Sequence, residues 1–157
     1  MFAADRFQFV GTIHSYSRMS RSRKWRSLVV TVTAAVIEKN GKILIARRKA
    51  GMRLGGLWEF PGGKQEADEI PEECLRRELR EEFGIDVEVG EFLVSHIHEY
   101  PHGTINLRSY RVHHLDGIFD LRDHDEVQWV EPKDFREYEF APADLPTIKF
   151  LVDQSRG

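Results

Sequence analysis

Three glutamates near the middle of the chain are spaced so that they could share one cation. On an α-helix, which advances about 100° per residue, Glu78 and Glu82 lie nearly above one another and Glu81 lies beside them. Such carboxylates repel one another, and the repulsion grows as water is excluded. A positive charge must therefore compensate them. The chain offers two sources: a bound cation, or the arginines of the same segment, Arg76, Arg77 and Arg80.

The loop before this segment favours the cation. Gly62 and Gly63 have no side chains, so backbone carbonyls can approach the carboxylates. Oxygen-only ligand sets are typical of hard divalent cations, chiefly Mg²⁺, with Mn²⁺ as a substitute. Mg²⁺ usually completes its shell with water and substrate phosphates, and it activates water for hydrolysis. The residues therefore predict a Mg²⁺ site that acts on a polyphosphate.

A helix and its flanking strands must position these groups. Helical periodicity through Leu75, Leu79 and Phe83 predicts a helix that begins at Pro71 and ends at Gly84. Before it, apolar runs at residues 28–37 and 42–47 predict a buried β-hairpin, and residues 61–63 predict a turn. After it, we predict strands at residues 87–99, 104–114 and 127–130, and helices at 132–138 and 143–154. This order predicts an α/β sandwich with a mixed β-sheet between helices.

Composition narrows the class of protein. The chain has 157 residues, a net charge of −3 and one cysteine, which suits a single domain in a reducing, cytoplasmic compartment. No apolar run approaches the ~18 residues that cross a bilayer, so we expect no membrane partner. Residues 1–28 carry six basic side chains and one acidic one, which predicts a basic N-terminal extension before a domain at residues 29–157. Because that domain is acidic, we do not expect nucleic acid as a partner.

The segment from Gly63 to Ile85 resembles a complete Nudix box, G-x5-E-x7-R-E-U-x-E-E-x-G-U with U aliphatic. The matching residues are Gly63, Glu69, Arg77, Glu78, Leu79, Glu81, Glu82, Gly84 and Ile85. The resemblance implies the Nudix fold, an α/β/α sandwich, and hydrolysis of a nucleoside diphosphate linked to another group. It also implies that Glu78, Glu81, Glu82 and the Gly63 carbonyl bind the metal, with one glutamate as a candidate general base. Arg77 would orient these carboxylates, and Glu69 would brace the loop against the helix.

Shorter matches between about Val29 and Leu151 are most similar to the MutT-type branch, the nucleoside triphosphate pyrophosphohydrolases that clean nucleotide pools. This likeness implies a nucleotide substrate that is cleaved to nucleoside monophosphate and pyrophosphate. It also implies that Arg48 holds the triphosphate, that Phe60 lines the base pocket and that Asp123 supplies a further metal contact or a base. Asp144 would read the nucleobase.

Each of these four residues has an alternative role. Arg48 could form an exposed salt bridge, Phe60 could be a core residue, and Asp123 could belong to a charged turn in which Glu126 competes with it. Asp144 could merely cap a helix. An ionised Asp144 only accepts hydrogen bonds, so cytosine and oxidised guanine triphosphates both stay open as substrates.

Other functions also stay open. Pro101, which lies 16 residues after Ile85, is compatible with a nucleotide-sugar pyrophosphatase that acts on an ADP-ribose-like substrate. A non-catalytic nucleotide-sensing or nucleic-acid-binding module would use the basic extension, and a homodimer is also left open. His96 and His98 share one strand face and could form a metal pair or a packed surface. Cys74 is expected to be a buried small residue and not a nucleophile.

Overall fold

Seven strands and two α-helices form the part of the chain that the computed structural model describes, residues 29–157. The strands are β1 (Val29–Lys39), β2 (Lys42–Arg48), β3 (Trp58–Glu59), β4 (Gly62–Lys64), β5 (Asp86–Tyr100), β6 (Gly103–Asp116) and β7 (His124–Val130). The helices are α1 (Pro71–Phe83) and α2 (Leu145–Ser155), with 3₁₀ turns at Pro132–Glu137 and Pro142–Asp144. The predicted basic extension, residues 1–28, lies outside the described residues. Neither α-helix of the described part is long and apolar enough to cross a bilayer.

The sheet is mixed, as the sequence predicted. Its strand order is β3-β2-β1-β6-β5, while β4 pairs with β1 and β7 pairs with β2. β1 runs parallel to β6 along the pairs from Val29↔Thr104 to Ile37↔Val112. The other strand pairs are antiparallel.

Alternate residues of β1 enter two separate hydrophobic cores. Ala35 and Ile37 pack with the leucine stripe of α1, which includes Leu75 and Leu79. Val32, Ala34 and Val36 belong to the other core, which contains Leu151 of α2. A strand that is covered on both faces needs an almost continuous apolar sequence. This is why apolar and polar residues do not alternate along β1. The two cores confirm the predicted α/β sandwich.

The predicted β-hairpin is formed only at its tip. β1 and β2 pair directly at Glu38↔Ile43 and Lys39↔Lys42. Farther from the tip, β1 pairs instead with Gly62–Lys64, so the turn predicted at residues 61–63 is wrong for Gly62 and Gly63. A Cβ atom at Gly62 would lie only 2.0 Å from the carbonyl oxygen of Thr33. The missing side chain therefore lets this segment pair as a short strand, which its composition did not reveal.

The helix predicted at residues 132–138 is a 3₁₀ helix from Pro132 to Glu137 and not an α-helix. It is anchored by the buried Phe135, whose carbonyl accepts the N–H of Tyr138 at 3.1 Å. A six-residue segment that begins with proline and buries one side chain is too short to gain from α-helical propagation.

Candidate active site

Helix α1 is fixed at both ends, which sets the direction of its glutamates. The Ile70 N–H donates to the Glu73 carboxylate at 3.3 Å, and Pro71 occupies the first turn. Gly84 ends the helix in the left-handed conformation, with φ of 65°, and its N–H donates to the Arg80 carbonyl at 3.0 Å. With this register the helix buries Glu78 and Glu82 and leaves Glu81 half-exposed.

The Arg77 guanidinium joins the loop at residues 64–69 to the clustered glutamates. Its Nε and Nη2 donate to the two oxygens of Glu69 at 2.7 and 3.0 Å, and Nη2 also donates to the Lys64 carbonyl at 3.0 Å. Its Nη1 donates to Glu78 at 2.9 Å and to Glu81 at 3.3 Å. The hydrogen bonds from Arg77 to Glu69 lower the pKa of the Glu69 carboxyl. The same pairing is the largest cause of the raised pKa of Arg77. Arg77 is therefore a counter-charge for two of the three clustered glutamates.

Burial strongly perturbs the carboxyl group of Glu78. Burial raises its pKa to about 7, although the Arg77 charge acts in the opposite direction. Its Oε2 atom is buried and has no hydrogen-bond partner among residues 29–157. A Cβ atom at Gly63 would lie 2.5 Å from this oxygen, so only glycine leaves room for the carboxylate. A buried, unpartnered carboxylate oxygen fits a site for a hard cation.

The Gly63 carbonyl faces β1 residues beneath the cluster. It accepts a hydrogen bond from the Thr33 hydroxyl at 3.1 Å, and the Cys74 Sγ atom lies 3.5 Å away. The Cys74 thiol is within hydrogen-bond distance of the same oxygen, so two side-chain donors face this carbonyl. Cys74 is fully buried, and burial raises the pKa of its thiol to about 12. It is therefore a buried small residue, as predicted, and it is poorly suited to act as a nucleophile.

The structure brings Asp123 close to the end of α1. Its neighbour Arg122 donates from Nη1 to the Glu81 carbonyl at 2.5 Å, and the ring of His124 stacks on Phe83 with centroids 5.1 Å apart. Within the described part of the chain, the buried Asp123 Oδ2 atom has no hydrogen-bond partner, as at Glu78. The competing residue Glu126 instead forms an ion pair with Arg47 at 3.1 Å. The position therefore favours Asp123 over Glu126 as the late acidic residue of the site.

Arg48 lies in a buried ion pair, so the expected alternative of an exposed salt bridge is wrong. Its side chain is 1% exposed, its Nη1 lies 3.4 Å from Glu59 Oε1, and its Nε donates to the Arg53 carbonyl at 2.9 Å. The neighbouring Arg47 instead forms a partly exposed ion pair with Asp125 at 2.8 Å.

Phe60 and Asp144 are both fully buried. Phe60 packs against the rings of Phe135 and Phe140, with centroids 6.0 and 5.8 Å away, so it has the core placement that was its alternative role. Asp144 occupies the N-cap position of α2, but its side chain makes no capping hydrogen bond. The turn that carries it is held by Tyr100, whose phenolic oxygen accepts the Ala143 N–H at 3.1 Å.

The donor set of the cluster suits a divalent cation, although the cluster is not closed around one. In this conformation no three histidine, cysteine or acidic side chains within residues 29–157 converge tightly enough to enclose a metal ion. The unpartnered oxygens of Glu78 and Asp123 nevertheless supply the expected all-oxygen chemistry. His96 and His98 do share a strand face, with ring centroids 6.0 Å apart, and His98 packs on Tyr100 at 4.4 Å. They form a packed pair, in which burial and the neighbouring His96 lower the pKa of His98.

Sequence reasoning missed the buried neighbours of the predicted site. Glu59 and His124 are buried beside Arg48 and Asp123, and Thr33 holds the Gly63 carbonyl. Glu59 carried a usable signal, because a charged residue between Trp58 and Phe60 contradicts an otherwise apolar strand. His124 and Thr33 carried no comparable signal in the sequence.

The fold and the glutamate site define a class of phosphoanhydride hydrolase, and comparison with known proteins identifies the family. A model of the NUDIX domain matches residues 32–149. The chain is 42% identical over 124 residues to the CTP pyrophosphohydrolase of Escherichia coli, an alignment that covers 79% of this chain and 92% of that protein. It is 34% identical over 130 residues to an 8-oxo-dGTP diphosphatase of Haemophilus influenzae, covering 82% and 96%.

A solved structure shows the same likeness in three dimensions. The solution structure of the E. coli ORF135 protein matches with a TM-score of 0.71 and 40% sequence identity, covering 84% of this chain and 94% of that one. The chain therefore belongs to the Nudix family, in its MutT-type branch, and is a Nudix hydrolase. Hydrolases of this family generally use a divalent metal ion.

Proposed function

We propose that this enzyme uses Mg²⁺ to hydrolyse a nucleoside triphosphate to nucleoside monophosphate and pyrophosphate. The base of this substrate presents an N–H donor, as cytosine and oxidised guanine do. The observation that carries the proposal is the Glu78 carboxylate, which is buried against Gly63 with one oxygen unpartnered. It lies in a complete Nudix box, within a chain related to enzymes named for CTP and for 8-oxo-dGTP.

The cation would be held by oxygen atoms from the cluster and from the loops beside it. The residues are Glu78, Glu81, Glu82, Asp123 and the Gly63 carbonyl. Mg²⁺ bound there supplies polarisation of phosphoryl oxygens and a lowered pKa for water. Arg77 Nη1 donates to two of these carboxylates, Glu78 and Glu81, and holds them beside one another.

The protein's own residues orient the carboxylates and the substrate. Arg77 donates two hydrogen bonds to Glu69 from Nε and Nη2, so the loop is joined to α1 independently of the Nη1 contacts. Water attacks the β-phosphorus, the bond from that phosphorus to the α–β bridging oxygen breaks, and that oxygen leaves with the monophosphate. The water's proton passes to a carboxylate of the cluster.

Three buried residues act on the rest of the nucleotide. Arg48 holds the triphosphate from the edge of β2, where its charge is balanced by Glu59. Phe60 backs the base pocket from the aromatic core. Asp144, which is not used as a helix cap, accepts the amine or ring N–H of the base.

A substrate panel tests this proposal directly. The purified chain is incubated with Mg²⁺ and CTP, dCTP, GTP, dGTP, 8-oxo-dGTP, ATP, UTP or ADP-ribose, and pyrophosphate and phosphate are measured separately. We expect the highest kcat/KM for CTP, dCTP or 8-oxo-dGTP, with pyrophosphate as the product. Reaction in ¹⁸O-water should place the label in pyrophosphate and not in the monophosphate.

Other results would overturn the proposal in different ways. Turnover of ADP-ribose alone would assign the chain to nucleotide sugars, and no turnover of any triphosphate would favour a sensing module. We also propose that residues 29–157 form the catalytic domain and that the enzyme acts in the cytoplasm. A chain that lacks residues 1–18 should then retain full turnover, whereas a binding module that uses the extension should lose its partner.

A further inference from the structure

Three buried, polar side chains meet where β2 pairs with β3 and β7. They are Arg48, Glu59 and His124, and their residues are 1%, 2% and 1% exposed. Glu59 Oε1 lies 2.9 Å from His124 Nε2 and 3.4 Å from Arg48 Nη1. A carboxylate oxygen only accepts, so the imidazole donates its Nε2–H to Glu59. Glu59 is therefore the shared acceptor that joins side chains from three strands.

Burying charged and polar side chains together in this way costs free energy of folding. Charges that are removed from water lose their hydration, and packed apolar side chains of the same volume would usually stabilise the fold as well or better. The surrounding strands show that apolar filling is available here, since Leu44, Ile45 and Ala46 precede Arg48 on β2 and are fully buried. The cluster therefore points to a role in placing a functional group.

The functional group that lies next to the cluster is Asp123. His124 is held at its Nε2 edge by Glu59 and on its ring face by Phe83, with an interplanar angle of 18°. The backbone of Asp123 is also held, because its carbonyl accepts the Lys49 N–H at 3.2 Å. These contacts leave the Asp123 carboxylate with a buried, unpartnered Oδ2 atom near the end of α1.

We propose that Glu59 is a positioning residue that fixes Asp123, acting through His124. Glu59 sets the orientation of the imidazole, the imidazole packs on Phe83, and the adjoining backbone then aims the Asp123 carboxylate toward the metal-binding end of α1. The inference rests on the proposed function, because it takes Asp123 as a group that contacts the metal.

The test measures Mn²⁺ affinity and turnover for Glu59→Gln, Asp123→Asn and the double variant. Free Mn²⁺ is followed by electron paramagnetic resonance in the absence of nucleotide, so this readout does not depend on activity. Glu59→Gln keeps the shape and an acceptor oxygen but removes the charge. We expect it to weaken Mn²⁺ binding and lower kcat by about tenfold, the scale found when groups behind metal ligands are changed.

The double variant separates positioning from general damage. If Glu59 acts through Asp123, the double variant should bind Mn²⁺ no more weakly than Asp123→Asn alone. Asp125→Asn is the matched control, because it removes a carboxylate that also pairs with an arginine of β2, on the solvent-facing side. We expect it to leave Mn²⁺ affinity and kcat within about twofold of the wild type, as for a surface ion pair.

Several outcomes would overturn the inference. One is a Mn²⁺ affinity in Glu59→Gln that equals that of the wild type. The other is a double variant in which the losses of Mn²⁺ affinity from the two single variants multiply. If Glu59→Gln does not fold, Glu59→Asp, which keeps the charge on a shorter side chain, is measured in its place and should show a smaller loss of the same kind. Absence of triphosphate turnover in the wild type, with the Mn²⁺ coupling intact, would reject the proposed substrate and leave the positioning role standing.

Discussion

The Glu78 carboxylate lies directly against the Cα atom of Gly63. A methyl group at Gly63 would come within 2.3 Å of Glu78 Cδ, so the glycine provides the space that the carboxylate occupies. Because Gly63 is part of β4, which pairs with Thr33 of β1, the sheet itself sets the position of this contact. The first glycine of the Nudix box and its first clustered glutamate are therefore one structural unit.

Gly63→Ala should displace the Glu78 side chain or shift β4. We expect the free energy of unfolding to fall by about 1–3 kcal/mol, which is typical of an overpacked core. We also expect kcat in Mg²⁺ to fall by more than the loss of folded protein explains. Chemical denaturation and steady-state kinetics measure the two effects. Gly90→Ala on β5, where the nearest atom is 3.2 Å from the added methyl group, serves as the control. Unchanged kcat in Gly63→Ala would contradict this account.

Glu81→Gln and Glu82→Gln should each lower kcat by about 100-fold or more, beyond the range seen for groups behind metal ligands. Both substitutions keep the size of the side chain, so the thermal midpoint should change little, least of all at the half-exposed Glu81. Glu72→Gln, on the same helix but outside the cluster, should behave as the wild type. Wild-type rates in the Glu81 and Glu82 variants would remove the metal mechanism.

The raised pKa of Glu78 makes the stability of the metal-free protein depend on pH. Its carboxyl has a pKa of about 7 in the folded chain, against an ordinary value of 4.5. Between these values the folded state binds more protons than the unfolded state, so the free energy of unfolding falls as pH rises from 4.5 to 7 and then levels off. The total contribution is about 3 kcal/mol. Urea denaturation in EDTA across this range measures it.

Glu78→Gln is the control for this pH dependence. The amide does not titrate, so the variant should lose this part of the pH dependence and should be more stable than the wild type above pH 7. Saturating Mg²⁺ should also reduce the fall in the wild type, because a bound cation favours the ionised carboxylate. Identical pH profiles for the variant and the wild type in EDTA would contradict the assignment to Glu78.

Asp144→Ala should reduce discrimination between bases. A base contact of this kind is worth about 1–3 kcal/mol, so kcat/KM for the preferred triphosphate should fall by about 5- to 150-fold relative to the others. The measurement is kcat/KM across the substrate panel. Asp153→Ala, near the other end of α2, is the control and should leave the preference unchanged. A lower melting temperature with unaltered base preference would make Asp144 a purely structural residue.

Local patterns predicted most of the elements because their signals are short-range. The leucine stripe, Pro71 and Gly84 define α1, and the structure places its bounds at Pro71 and Phe83. The predicted strands at residues 87–99 and 104–114 are found as β5 and β6, at Asp86–Tyr100 and Gly103–Asp116. The wrong predictions lie where pairing between distant parts of the chain decides the secondary structure. Gly62 and Gly63, for example, form a strand only because Thr33 lies beside them.

By itself, the sequence determined the family, the helix that carries the three glutamates and their spacing, because a helix fixes the relation between residues three and four positions apart. Only the tertiary structure decided which of those glutamates are buried. It also decided that Arg77 contacts Glu69 and that Glu59 contacts Arg48 and His124. Burial and long-range hydrogen bonds depend on how strands are ordered in the sheet. That order sets the pKa of Glu78 and the position of Asp123.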